Sequence, residues 1–316
     1  MAQFAQLLSS IIPTFGIVGA GWLCRRVGIW GPGAVKVLNS YAYYIALPAL
    51  IFQSLSVSGI GARLTRGPVL LIVGTLAAHA LVFLVIRIAT VTTRTSQEVK
   101  AVAPMILTFG STAYLGLPFV ANTFGPEAVP LASLVSVSLV VVTLFFSLAT
   151  LRRYGRLPSE RSFIREVIGL PFVYTVIAGL AVGFTGLALP GFIMKTVDVL
   201  AGSAGPTALL ALGAFDYGLR RAQVNLKQAV ALGAGKVFIT GIVTFAILKL
   251  IGITGLPLAV GTAMGAVSVA VTAFVLADQY KMGRQLTDAA ITVSGAAAFI
   301  ALSAISYLWI ATKVFA

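Results

Sequence analysis

Ten stretches of the chain are each long and apolar enough to cross a lipid bilayer, and they leave little room for any other kind of fold. They fall at about 4–24, 35–57, 67–89, 100–122, 128–150, 164–185, 194–216, 229–251, 257–279 and 288–312. A helix needs about 17–25 apolar residues to cross the hydrocarbon core. No polar stretch between the runs exceeds about 15 residues, so no soluble domain can be fitted in. Charged residues make up 9% of the chain and mean hydropathy is +1.03, whereas a soluble domain carries about 25% charged residues. The expected fold class is an all-α polytopic membrane protein of ten transmembrane helices.

The net charge of +14 is read as a topology signal, not as a nucleic-acid footprint, because basic residues concentrate in cytoplasmic loops. Arg152, Arg153, Arg156, Arg161 and Arg165 follow the fifth run, and placing them in the cytoplasm fixes every other loop by alternation. Arg25, Arg26, Lys36, Arg87, Arg94, Lys100, Arg220, Arg221, Lys227, Lys281 and Arg284 then fall inside as well. Only Arg63, Arg66, Lys195, Lys249 and Lys313 fall outside, and Lys236 lies within the eighth run. Both termini are expected outside, in the cell (inner) membrane. The first run is expected to be retained, since no basic n-region precedes it and no convincing A-x-A cleavage site follows it.

Five runs precede the basic linker and five follow it. An odd number per half inverts the second half relative to the first, the plan of many secondary transporters. The expected organisation is a first five-helix repeat at 1–150, a basic cytoplasmic linker at 151–165 and an inverted second repeat at 166–316. Weak internal similarity agrees with this. A shift of 158 positions places Pro48 on Pro206, and a shift of 156 places Thr112 on Ser268 and Phe124 on Tyr280.

The fourth run contains Gly110, Ser111, Thr112, Gly116 and Pro118 where a bilayer helix should be most regular. Lipid cannot satisfy the N–H and C=O groups that an interruption frees, so a break is tolerable only against protein or a wet cavity. Gly110-Ser111-Thr112 lies near mid-depth at 1.5 Å rise per residue. If the helix unwinds there, the second half-helix presents free N–H groups and a positive dipole end, a site for an anion. A continuous helix, packed closely at its small residues and kinked at Pro118, is the plainer alternative.

The ninth run, in its stretch from Gly265 to Thr272, offers a matching break around Val267 to Val269. Pro48 and Pro206 are expected to shape a cavity wall, with Gln53, Tyr43 and Tyr44 near the first. Ser133 and Ser136 share a face of the fifth run at i, i+3. Lys236 sits where a lysine costs on the order of 3 kcal/mol. It is a candidate counter-charge or coupling residue, a partner for Asp216 or Asp278, or a side chain that snorkels to the cytoplasm. His79 is expected to be a satisfied packing residue. With one cysteine, Cys24, and one histidine, neither a disulfide framework nor a Cys/His metal cluster can form. The chain has no Walker loop, no G-x-S-x-G, no H-E-x-x-H and no mid-membrane carboxylate pair, so ATP-driven transport is excluded and neither an enzyme nor a bound cofactor is expected.

Three motifs, in order, resemble the auxin efflux carrier family: Tyr-Ile-Ala-Leu-Pro-Ala-Leu-Ile-Phe-Gln-Ser-Leu at 44–55, Phe-Gly-Ser-Thr-Ala-Tyr-Leu-Gly-Leu-Pro at 109–118 followed by Phe-Gly-Pro-Glu-Ala at 124–128, and Ala-Phe-Val-Leu-Ala-Asp-Gln-Tyr at 273–280. The resemblance runs the length of the chain. It implies two inverted five-helix repeats, broken crossing helices 4 and 9, and a transport half (runs 3–5 and 8–10) moving as an elevator against a scaffold half. It also implies homodimers in many members and organic-anion substrates, either auxin-like or dicarboxylates. The chain departs from the family's common residues at Ser111, where Asn is usual, and at Val267 and Ser268, where Pro or Asn is usual.

The expected function is a secondary transporter of a small organic anion. Ser111, Thr112, Tyr114, Val267, Ser268, Gln53 and Ser136 are the expected substrate contacts. Gly110, Pro118, Pro48 and Pro206 shape the breaks or the cavity, and Lys236 and Asp278 are candidates for charge or coupling. A sodium-coupled symporter of bile-acid-like or keto-acid anions is an alternative within the same fold; a passive channel or membrane receptor is an alternative from another class.

Overall fold

The computed structural model describes residues 2–56, 66–154, 171–218, 225–311 and 314–315. Among them the chain is helical throughout, apart from turns, the helix breaks and one isolated antiparallel bridge. In chain order the helices are α1 (Ala2–Arg26), α2 (Pro32–Leu55), α3 (Arg66–Thr92), α4 (Gln97–Thr108), α5 (Leu117–Phe124), α6 (Val129–Tyr154), α7 (Pro171–Thr185), α8 (Gly191–Gly218), α9 (Leu226–Leu250), α10 (Gly255–Gly265), α11 (Val271–Gln279) and α12 (Arg284–Ala311). Among the described residues, six helical stretches are long and apolar enough to cross a membrane: 32–55, 67–92, 126–154, 191–215, 226–250 and 284–311. The linker arginines Arg156, Arg161 and Arg165, together with Arg63, Arg220, Arg221 and Lys313, lie outside the described residues, as do the side chains of Arg66 and Asp216.

The helices gather in two packing groups. In one, α1 and α2 lie along α8, and α7 lies on α2. In the other, α3, α4, α6, α9 and α10 pack on one another, and α12 lies along α9. The Ser54 and Ser133 hydroxyls join the groups at 3.1 Å, and α5, which packs on α1 as well as on α6, adds Asn122 Nδ2 donating to Thr14 Oγ1 at 3.1 Å.

Burial separates helices that face lipid from helices that cannot. α3 and α9 expose a row of large apolar side chains, including Val73, Leu84 and Ile88 on the first and Phe238, Ile239 and Ile242 on the second. α4 and α10 are buried almost all round, from Ala101 to Thr108 and from Leu258 to Gly265. The twelve residues of α4 rise about 18 Å, short of a hydrocarbon core about 30 Å thick. A helix too short to cross the hydrocarbon core has to be enclosed by protein where it stops, and α4 and α10 are enclosed.

Two prolines reshape the helices before them. Leu47 donates its N–H to the Ala42 carbonyl and Leu117 donates to the Thr112 carbonyl, five residues back in each case. Each resulting π turn, Ala42–Ala46 and Thr112–Gly116, sits just before a proline, Pro48 or Pro118. Proline brings no N–H to the ladder, so the turn ahead of it widens and the lost bond is absorbed there. The two sites share the pattern Tyr-x-x-Leu-Pro, at 44–48 and 114–118. Pro206 lies inside a continuous helix instead.

Candidate functional site

α4 stops at Thr108 and the helical path resumes at Thr112; α10 stops at Gly265 and resumes at Val271. The two interruptions pair with each other. Gly110 and Val269 form the antiparallel bridge, with Ser111 N–H donating to the Ser268 carbonyl at 2.8 Å and Ala270 N–H to the Phe109 carbonyl at 2.9 Å. The break in the ninth run therefore spans 266–270, a little wider than Val267 to Val269. Each strand of the pair runs on into a half-helix, so the N-termini of the helical segments beginning at Thr112 and Val271 and the C-termini of α4 and α10 all converge on the bridge.

Helix ends inside a protein leave N–H and C=O groups that need partners, and α9 and α12 supply several. Thr240 Oγ1 donates to the Leu107 carbonyl at 2.7 Å. Lys236 Nζ donates to the Gly265 carbonyl at 2.8 Å. Ser294 Oγ accepts from Val269 N–H at 2.9 Å and donates to the Ile291 carbonyl at 2.8 Å. Lys236, Thr240 and Thr244 are fully buried on one face of α9, at i, i+4 and i+8. Gly110 permits the close approach: a Cβ there would meet Val267 Cγ2 at 2.7 Å and Lys236 Nζ at 3.3 Å.

At the start of the second half-helix, Leu115 and Gly116 donate to the Ser111 carbonyl. The N–H groups of Thr112, Ala113 and Tyr114 find no acceptor among the described residues. The hydroxyls of Ser111 and Ser268 likewise have no hydrogen-bond partner among the described residues. Both serines are nearly buried, at 4% and 2% exposure. A cluster of unspent donors at a helix N-terminus in the protein interior is chemically an anion site.

The remaining expected contacts fall in three places. Thr112 belongs to the break, its Oγ1 accepting from Ser136 Oγ at 2.8 Å. Val267 is buried in packing beside Gly110 and Gly116. Tyr114 reaches away to α2, donating its hydroxyl to the Asn39 carbonyl at 3.2 Å. Gln53 is held at the contact of α2 with α8, where its Nε2 donates to Asp198 Oδ1 at 2.7 Å, and it does not join the break. Pro118 lies against α8 near Pro206, since a Cβ on Gly205 would stand 3.7 Å from Pro118 Cβ.

Two expectations for Lys236 are corrected. It does not snorkel, because its side chain is fully buried, and its ammonium meets a carbonyl, not Asp278. Asp278 instead pairs with Arg284 at 2.9 Å, both about half exposed. With α11 ending one residue later, at Gln279, the carboxylate reaches solvent more readily than it reaches mid-membrane. His79 is satisfied, as expected, with Nδ1 on the Thr75 carbonyl at 2.8 Å. A cavity of about 440 Å³ opens away from the break, among the ends of α4, α9, α11 and α12, lined by Glu98, Asn225, Asp278, Lys281 and Arg284 among others.

The sequence profile described as membrane transport protein matches residues 6–306. The chain belongs to that family. It is the family whose motifs the sequence shares at 44–55, 109–118 and 273–280, the auxin efflux carriers, and it makes the protein an integral membrane protein of a transporter family. Relatives match over nearly their whole length. A Rhizobium meliloti (strain 1021) protein, named as a proposed malonate transporter, is 26% identical over 96% of each chain. An uncharacterised transporter of Methanocaldococcus jannaschii is 22% identical over 88% of this chain and 91% of its own. Another, from Methanothermobacter thermautotrophicus, is 21% identical over 95% and 97%.

Within this family member, Thr240 and Ser294 join the break although sequence reasoning did not single them out. The available signal was the spacing Lys236-x₃-Thr240-x₃-Thr244, a polar stripe on an otherwise apolar helix.

Proposed function

We propose that the protein is a secondary carrier for a small dicarboxylate of the malonate class, bound at the paired breaks and exposed alternately to the two sides of the membrane. The observation that carries this is the set of unspent donors there: the amides of Thr112, Ala113 and Tyr114 beside the free hydroxyls of Ser111 and Ser268. Such donors attract a carboxylate without an arginine. Two half-helix N-termini approach from opposite directions, which suits an anion with a carboxylate at each end. The named substrate of the Rhizobium relative agrees with that chemistry.

In this reading the two packing groups are the moving parts. The group of α3–α6 and α9–α12 carries the site and slides as an elevator against α1, α2, α7 and α8. The repeats at 1–150 and 166–316 are inverted about the membrane plane, α4–α5 and α10–α11 are the crossing helices of runs 4 and 9, and both termini face outward from the inner membrane. A homodimer through the scaffold group completes the arrangement. Nearly buried serines at the break correspond to an occluded stage of the cycle.

The test is uptake of labelled malonate, malate and indole-3-acetate into proteoliposomes. Accumulation of a dicarboxylate, with acceleration by the same anion on the far side, supports a carrier. Conduction far faster than a carrier and without counterflow would identify a channel and overturn it.

A further inference from the structure

The buried ammonium of Lys236 occupies a position with a chemistry of its own. It donates to the carbonyl of Gly265, the last residue of α10. The charge thus sits at the negative end of a helix that stops inside the protein. No carboxylate pairs with it among the described residues, where the recorded ion pair is Asp278 with Arg284. Among the described residues His79 is a titratable neighbour, and its Nδ1 is already on the Thr75 carbonyl. Thr240, one turn further along α9, is spent on the Leu107 carbonyl. The partner of this lysine among the described residues is therefore a buried helix end and its freed carbonyl.

A half-helix C-terminus with unwound carbonyls is where carriers with interrupted helices hold a coupling sodium ion. An ammonium and a sodium ion carry the same charge and both seek carbonyl oxygen. We propose that Lys236 is a built-in cation: its ammonium fills the position at the end of α10 that a sodium ion would otherwise take. The paired breaks therefore carry their positive charge covalently and work without sodium. The consequence for transport rests on the carrier reading above; the occupation of the cation position does not.

Two measurements on purified protein decide it. In thermal melts at equal ionic strength, the wild type should melt at the same temperature in sodium chloride and choline chloride. Lys236→Ala removes the side chain and frees the Gly265 carbonyl, so sodium but not choline should raise its melting temperature by several degrees. In proteoliposomes, wild-type malonate uptake should be unchanged when choline replaces sodium. Lys236→Met, similar in length but uncharged, should lose tenfold or more, while Lys236→Arg keeps most of the rate.

A wild type that is stabilised by sodium, or that requires it for uptake, overturns the proposal. So does a Lys236→Met carrier running at the wild-type rate, or a folded Lys236→Ala that melts alike in both salts. If Lys236→Ala does not fold, the wild-type comparison still decides. If no anion is taken up, the carrier reading fails and the melting comparison stands independently.

Discussion

Ser111 and Ser268 are joined backbone to backbone, the amide of one donating to the carbonyl of the other at 2.8 Å, so their side chains are not what holds the two helix breaks together. This separates structure from binding at one residue. In Ser111→Ala the Ser268 hydrogen bond and the bridge between Gly110 and Val269 persist, and only a hydroxyl that serves no internal partner is lost. We expect an unchanged melting temperature and a malonate KM raised about tenfold, the equivalent of one hydrogen bond to a charged ligand, about 1.5 kcal/mol. Ser268→Ala should behave alike. Wild-type kinetics in both variants would remove the hydroxyls from the site.

Gly110→Ala tests the closeness of the paired breaks. The added methyl would stand 2.7 Å from Val267 Cγ2 and 3.3 Å from both Cε and Nζ of Lys236, all in the closed interior. Overpacking of this kind costs typically 1–3 kcal/mol, and here the relief lies in spreading the bridge. Both melting temperature and uptake should fall. Gly19→Ala is the control, since nothing lies within 4 Å of its Cβ position, and it should match the wild type in both assays.

Thr240→Val leaves the Leu107 carbonyl at the end of α4 without its donor. A buried acceptor stripped of its partner costs about 1–3 kcal/mol, with nearly no change in side-chain volume. Detergent-solubilised Thr240→Val should melt several degrees lower, and Thr240→Ser, which keeps the hydroxyl, should recover most of the loss. Equal melting temperatures for all three proteins would show that the carbonyl finds another donor.

That pair of residues also marks where sequence reasoning runs out. The break in the fourth run was legible because Gly110, Ser111 and Pro118 defeat a regular helix locally. The break at 266–270 was only hinted at, since Val267, Ser268 and Val269 do not forbid a helix; pairing with the first break is what opens it. Thr240 was invisible for a further reason. Buried threonines in apolar helices commonly bond their own helix at i−4, as Thr75, Thr143 and Thr244 do here, and nothing local distinguishes the one that reaches another helix. Lys236 was legible as costly, yet its destination was not, because a carbonyl freed by a distant break leaves no trace in the residues around position 236. The repeated Tyr-x-x-Leu-Pro pattern was in plain view, but its π turns were not, since a proline alone does not dictate one: Pro104 and Pro206 lie inside α-helices.

Ser54 and Ser133 offer a direct check on relative motion. Their hydroxyls are 3.1 Å apart and connect α2, in one packing group, with α6, in the other. Cysteines at both positions would place two sulfurs within small side-chain adjustments of a disulfide, whose bond length is about 2.05 Å. The background should replace Cys24, the protein's one cysteine, by alanine so that no other pair can form. If the groups slide past each other during transport, oxidation of Ser54→Cys/Ser133→Cys should stop malonate uptake, and a reductant should restore it. Each single-cysteine variant should be indifferent to oxidant. A fully cross-linked protein that still transports would show that α2 and α6 stay together through the cycle, and the boundary between moving and fixed parts would then have to lie elsewhere.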